Sequence, residues 1–189
     1  MDDPAQCLAD AFAYLQEGAS DPGSPFRNPA LATAPASPTA PPGLRTVVLR
    51  RFTRDARIVE LHTDARSPKI AQLRQNPFAA LHVWDPARRI QLRLDGAVAI
   101  AGTEKATAAW AALPPASRAT YAVSLAPGTA IDDPARATPD LPEHAARQNF
   151  AVLELSIDVL EYLSLARGSH RRARFCWPGN RLAATWLVP

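Results

Sequence analysis

The chain has 189 residues, enough for one domain with appendages, and 47% of them are hydrophobic, an ordinary share for a globular protein. Its formal charge of +3 comes from 21 cations against 18 carboxylates, scattered along the chain except at Arg171, Arg172 and Arg174, which argues against a nucleic-acid surface. No apolar run reaches the roughly 18 residues of a membrane span, the start MDDPAQ is acidic rather than basic, and Cys7 and Cys176 lack disulfide-framework or metal-ligand spacing, so no membrane, no metal and a cytoplasmic setting are expected.

Residues 4–18 place Leu8, Ala11, Phe12 and Leu15 on one helical stripe, with Pro4 at the start and Gly18 at the end. From 21 to 43 the chain turns proline-rich and loses periodicity, which predicts an extended linker over the surface. An N-terminal helix over 1–20, a linker over 21–43 and a domain over 44–189 follow. Strands are expected at RTVVLRRF (45–52) and RIVELHT (57–63), joined as a hairpin, then a short helix SPKIAQLRQ. Further strands follow at 78–84 and 89–101. In the latter Gln91, Arg93 and Asp95 alternate with Ile90, Leu92 and Leu94, so one face is polar. Two helices at 103–112 and 115–125, a loop over 127–142, and strands at 149–157, 158–166, 171–177 and 184–188 complete the series. Many strands in hairpin-like succession, with few helices between them, predict a mainly β, antiparallel barrel or sandwich with flanking helices.

The stretch HTDARSPKIAQLRQNP carries the chemistry. Thr63, Arg66, Ser67 and Lys69 crowd the junction between a strand and a helix, where free amides and basic side chains suit an anion such as phosphate. The same residues also fit a plain helix start, with Ser67 as cap, Pro68 in the first turn and Lys69 as a solvated charge. Arg45 and Arg50 bracket the apolar TVVL, and Gln91 and Arg93 lie on a polar strand face. These extend the anion reading if the barrel brings them together, and are solvent-facing side chains if it does not.

RTVVLRRF, HTDARSPKIAQLRQNPFAALHVW, QLRLDG and EYLSLARGSHRRARF with the terminal WLVP together resemble the pyridoxamine 5'-phosphate oxidase family of FMN-binding split barrels. The likeness is close over 45–101 and looser over 149–189. It implies a homodimeric split β-barrel with FMN at the subunit interface and a small-molecule substrate. It also implies that Arg45, Val47, Val48, Leu49 and Arg50 run along the flavin, with Arg45 on the phosphate and backbone groups facing the ring. His62 and Thr63 match a cofactor-touching pair, Lys69 a phosphate-binding lysine, and Gln91 and Arg172 further FMN contacts. Ser67 joins this set, as does Arg66 as a replacement for a missing phosphate arginine.

The departures concern the substrate. Pro68 stands where the family has an arginine before the lysine, and Arg50 where it has a substrate-contacting lysine. Leu113 falls at a substrate-phosphate arginine, Gly168-Ser169-His170 replaces an Arg-X-His clamp, Pro127-Gly128 replaces a Gln-Ser pair on FMN, and Leu163 replaces a tryptophan. The resemblance therefore implies an oxidoreductase acting on something other than pyridoxine phosphate. The alternatives are a non-catalytic flavin-binding protein or a true pyridoxamine/pyridoxine 5'-phosphate oxidase. No residue stands out as a general base. His170 is either a substrate-side histidine or a turn residue, Arg118 and Tyr121 are candidates for an altered pocket, and Trp84, Trp110 and Trp186 are expected to pack.

Overall fold

The computed structural model describes residues 3–35, 37 and 39–189; the parts of the expected N-terminal helix and linker at residues 1, 2, 36 and 38 lie outside it. Asp3 caps helix α1 (Pro4–Ser20) by accepting the Ala5 amide at 2.8 Å, and Pro4 occupies the first turn, where no amide is needed. The predicted stripe of Leu8, Ala11, Phe12 and Leu15 is buried, and Cys7 is buried with it.

The segment 21–43 is not a surface linker throughout. Ser24 caps a single 3-10 turn at Pro25–Arg27, which buries Phe26 completely and stacks it on Tyr14 at 4.7 Å between ring centroids. Ala30–Thr33 is a strand, β1, hydrogen-bonded on both sides. ALAT is short and holds one β-branched residue, so its local preference is weak; pairing along both edges imposes the strand.

The other strands are β2 (Gly43–Thr46), β3 (Leu49–Thr53), β4 (Ile58–Asp64), β5 (Phe78–Asp85), β6 (Ile90–Ile100), β7 (Phe150–Ser164), β8 (Arg171–Cys176) and β9 (Ala183–Leu187). They pair antiparallel in the order β2-β1-β5-β6-β7-β4-β3, and β8 and β9 extend from the second half of β7. β2 and β3 thus lie at opposite ends of a seven-strand path, yet only Val47 and Val48 separate them in the chain. Six strand spacings of about 4.8 Å are far more than two residues can reach, so the sheet has to curl until its edges nearly meet. The expected single strand at 45–52 is broken for the same reason: the chain crosses there from one edge to the other. The resulting half-barrel encloses Leu49, Val59, Leu61, Leu81, Leu92, Leu94, Leu153, Leu155 and Leu160.

β7 is one strand of 15 residues rather than the two expected. β7 carries a bulge where the break was expected: Asp95 pairs with Val159 and Gly96 with Ile157, so Asp158 is the extra residue and the strand continues past it. Gly96 permits the close approach, because a Cβ there would stand 1.8 Å from the Ser156 carbonyl oxygen, backbone against backbone. Gly96→Ala is expected to destabilise the fold by about 3 kcal/mol, read as a lowered urea midpoint; an unchanged midpoint would contradict this packing.

Helices α3 (Thr103–Ala111), α4 (Pro115–Ala119) and α5 (Glu143–Gln148) cover the outer face of the first half of β7 with Trp110, Leu113, Tyr121 and Ala146 against Phe150 and Val152. α4 is shorter than expected because the Ala122 carbonyl turns to accept the amides of Asp140 and Leu141. The remaining outer face, over β5, β6, the second half of β7 and β8, has no covering layer among the described residues. Phe78 and Trp84 are 60% and 38% exposed there, so Trp84 is not the core residue expected. Among the described residues no helix is long and apolar enough to cross a membrane.

Candidate cofactor site

At one rim of the half-barrel the last inward residue of β4, Thr63, meets the first turn of α2 (Pro68–Gln75). Lys69 Nζ donates to Thr63 Oγ1 at 2.8 Å and to Ser67 Oγ at 3.0 Å, and the two hydroxyls lie 3.4 Å apart. Ser67 sits at the helix start but makes no capping bond with its side chain; the hydroxyl serves the lysine instead, so the plain cap does not hold. Arg45 reaches the same rim from β2: burial lowers the Lys69 pKa and the charge of Arg45 lowers it further, while Asp64 raises it in part. Burial also lowers the Arg45 pKa.

Neither cation is neutralised. Among the described residues no carboxylate lies within ion-pairing distance of Arg45 or Lys69; their partners are hydroxyl, amide and carbonyl oxygens. A part-buried pair of like charges held only by neutral oxygens is unfavourable alone and is relieved by an anion. Two cations and two hydroxyls at one rim are the donor set a phosphate dianion needs, so these residues fit the tail of FMN.

Two members of the cluster escape the sequence reading. Thr33 Oγ1 accepts from Arg45 Nη1 at 2.5 Å, and Gln72 Oε1 accepts from Arg45 Nη2 at 3.3 Å and from the Thr33 hydroxyl at 2.6 Å. Gln72 stands three residues after Lys69 on a helix, a spacing that signals a shared face. Thr33 lies in the segment taken for linker and gives no such signal.

The other expected residues divide. Val47 and Leu49 point into the core, and the Val47 amide donates to the Pro29 carbonyl at 2.9 Å. Val48 is half-buried between β2 and β3. Arg50 sits where the β3–β4 register slips, between Leu49 and Arg51, and its buried Nε has no hydrogen-bond partner among the described residues. Bulges of this kind re-aim a side chain. Its charge reaches Tyr121.

Arg66 does not compensate for the missing phosphate arginine. Asp64 pairs with it at 2.7 Å, and its other donors hold the Val123 and Ser124 carbonyls at 2.9 and 2.8 Å, pinning the following loop. His62 alternates onto the opposite face of β4 from Thr63, where Nε2 contacts Glu60 at 3.2 Å and the ring meets Phe150 edge-on. Gln91 and Arg172 also face outward: they share one rung, Trp84–Gln91–Leu163–Arg172, on the uncovered sheet. One chain therefore gathers Arg45, Thr63, Ser67 and Lys69 but not Gln91.

Of the substrate-side candidates, Arg118 is consumed by packing. It donates to the Ala111 and Leu113 carbonyls, pairs with Glu143 at 2.6 Å and lies over Trp110. Tyr121 is core, edge-on to Trp110 and Phe150, and burial pushes its hydroxyl up to about 12. His170 is exposed and lines a cavity of about 290 Å³ with Arg171, Arg172, Trp186 and Leu187. Trp186 is 40% exposed beside it, not packed in the core.

Residues 11–102 match the model of the pyridoxamine 5'-phosphate oxidase FMN-binding domain. The chain is similar to a pyridoxine/pyridoxamine 5'-phosphate oxidase of Gloeothece citriformis (strain PCC 7424), 36% identical over 89 residues; the match takes in 47% of this chain and 41% of the relative's length. Its fold is similar to that of a pyridoxamine 5'-phosphate oxidase-related, FMN-binding protein from Nostoc punctiforme PCC 73102, with a TM-score of 0.80 at 24% identity over 95% of this chain and 96% of the other. PhzG from Burkholderia lata 383 follows with 0.71 at 19% identity, covering 98% of this chain and 90% of that one. Over residues 11–102 the chain is thus similar to the pyridoxamine 5'-phosphate oxidase FMN-binding domain, and its fold is the split barrel of the structures it resembles.

Proposed function

We propose that the protein is a homodimeric, cytoplasmic FMN-dependent oxidoreductase whose small-molecule substrate is not pyridoxine phosphate. The observation that carries the reading is the pair of unneutralised cations, Arg45 and Lys69, held by hydroxyl, amide and carbonyl oxygens at the barrel rim. Bound FMN supplies hydride acceptance and return; the polypeptide supplies charge, orientation and exclusion of water. Arg45 and Lys69 bind the phosphate with the hydroxyls of Thr63 and Ser67. Gln91 and Arg172 face away from this rim on a sheet that no other layer covers among the described residues, which supports a second copy docking there and lending its Gln91 and Arg172 to the first chain's cofactor.

The substrate side supports a changed specificity. Leu113, at the position of a phosphate-gripping arginine, is buried against the α3–α5 cluster and offers no donor. Arg118 and Tyr121 are held in packing and do not replace it. Arg50 remains as a cation on the bulge. The same architecture in PhzG is seen with tetrahydrophenazine-1-carboxylic acid, so it is not confined to vitamin B6 phosphates. Purified protein is expected to be yellow, to release FMN rather than FAD, to elute at twice the mass of one chain, and to form no pyridoxal phosphate from pyridoxamine phosphate. A colourless monomer that takes up no added FMN would overturn the reading. Failure of NADH, NADPH or any small reductant to bleach the bound flavin would favour a flavin-binding protein without turnover.

A further inference from the structure

Arg45 is held from two sides by groups with no assigned part in cofactor binding. Nη1 donates to Thr33 Oγ1 on β1 at 2.5 Å and to the Leu31 carbonyl at 3.4 Å, Nη2 donates to Gln72 Oε1 on α2 at 3.3 Å, and the Thr33 hydroxyl donates to the same Gln72 oxygen at 2.6 Å. Gly43, paired with Thr33 across β1 and β2, leaves the room: a Cβ there would stand 2.1 Å from Arg45 Nη2 and 3.0 Å from Gln72 Oε1. Three elements far apart in sequence thus form a cradle fitted to one guanidinium.

We propose that Thr33 and Gln72 are positioning residues that fix the Arg45 fork while leaving its charge intact, and so set the preference for phosphorylated over unphosphorylated flavin. The inference rests on the reading that the FMN phosphate lies at this rim. A free arginine side chain samples many rotamers and loses that freedom on gripping a ligand; a cradle removes the loss in advance. A carboxylate would orient the fork equally well, but would pair with it and cancel one of the two positive charges a phosphate meets. A glutamine carbonyl and a hydroxyl orient it without cancelling it. The inference also makes β1, from the proline-rich segment, part of the cofactor site.

Gln72→Glu tests this, since it keeps shape and reverses the chemistry. FMN and riboflavin are titrated into full-length protein stripped of flavin, with binding read from quenching of flavin fluorescence and fold from the urea midpoint. Q72E is expected to cut the FMN-over-riboflavin preference by about tenfold or more, with riboflavin affinity within about twofold of the parent. Thr33→Val, which removes one acceptor, is expected to cut it by about threefold to tenfold. Lys69→Met serves as the check on the underlying reading. If K69M erases the preference while Q72E and T33V keep it, Thr33 and Gln72 do not position Arg45 and the inference fails alone. If K69M leaves the preference intact, the phosphate is not at this rim and both fail. Equal losses for FMN and riboflavin, with a lowered urea midpoint, would mark Thr33 and Gln72 as fold residues and overturn the inference. Should Q72E not fold, T33V and Gln72→Met decide the matter by the same ratio.

Discussion

Lys69→Met is expected to weaken FMN binding by about 100-fold and to leave riboflavin binding within a few-fold, because it would remove a charge-assisted donor from the phosphate and nothing from the ring. The fold tolerates the change: Lys69 makes its bonds with two hydroxyls, Thr63 and Ser67, which remain 3.4 Å apart and able to satisfy each other. The effect also depends on pH. Burial, and then the charge of Arg45, lower the Lys69 pKa from the ordinary 10.5. In the flavin-free protein the lysine therefore gives up its proton at a lower pH than a solvated lysine, and FMN affinity falls as pH rises through that lowered value. Riboflavin affinity is expected to lack this phosphate-dependent fall, so the FMN-over-riboflavin preference shrinks as pH rises. Titrations of both flavins across the alkaline range check this, and parallel curves for the two would contradict the assignment of Lys69 to the phosphate.

The second large effect concerns stability in acid. Glu60 is 4% exposed on the outer face of β4, and its carboxylate meets His62 Nε2 at 3.2 Å, Lys105 Nζ at 3.2 Å and, more distantly, Arg51 at 3.9 Å. Lys105 also pairs with Glu154. The hydrogen bond to His62, opposed by burial and then reinforced by Lys105, brings Glu60 down from 4.5 to about 2. A carboxylate whose folded pKa lies below its unfolded one stabilises the fold fully above the unfolded value and loses that contribution as pH falls toward the folded value. The window runs from about pH 5 to about pH 2, and the contribution within it is about 3 kcal/mol. Glu60→Gln leaves His62 without its anion and Lys105 with Glu154 alone. It is expected to lower stability by a similar amount at neutral pH and to flatten the acid limb. Urea midpoints for parent and variant at pH 7, 4 and 3 give the comparison; equal slopes below pH 5 would show that Glu60 does not carry the acid sensitivity.

His62 shows where the sequence was legible and where it was not. Its place on a strand before a helix follows from RIVELHT, and so does its alternation with Thr63. Which face meets the cofactor rim does not, because a period of two is indifferent to which side is inside. The tertiary partners Glu60 and Phe150 decide it. Lys69, Ser67 and Thr63 were readable together because strand end, turn and first helical turn are local. Thr33 was not, since its strand is made by neighbours on both edges rather than by its own residues. Arg66 misled for a similar reason: a cation beside a presumed anion site looks useful until the structure shows Asp64 and two carbonyls already holding it. Strand succession, by contrast, narrows the class to an antiparallel barrel or sandwich, the family resemblance implies the barrel, and the curl follows once two residues separate strands at opposite edges.

A crystal structure of the FMN-loaded protein tests the central claim most directly. The phosphate oxygens are expected within hydrogen-bonding distance of Lys69 Nζ and the Arg45 guanidinium, flanked by the hydroxyls of Thr63 and Ser67. A phosphate seated elsewhere, such as the cavity beside His170 and Arg171, with Lys69 still bonded only to Thr63 and Ser67, would contradict it.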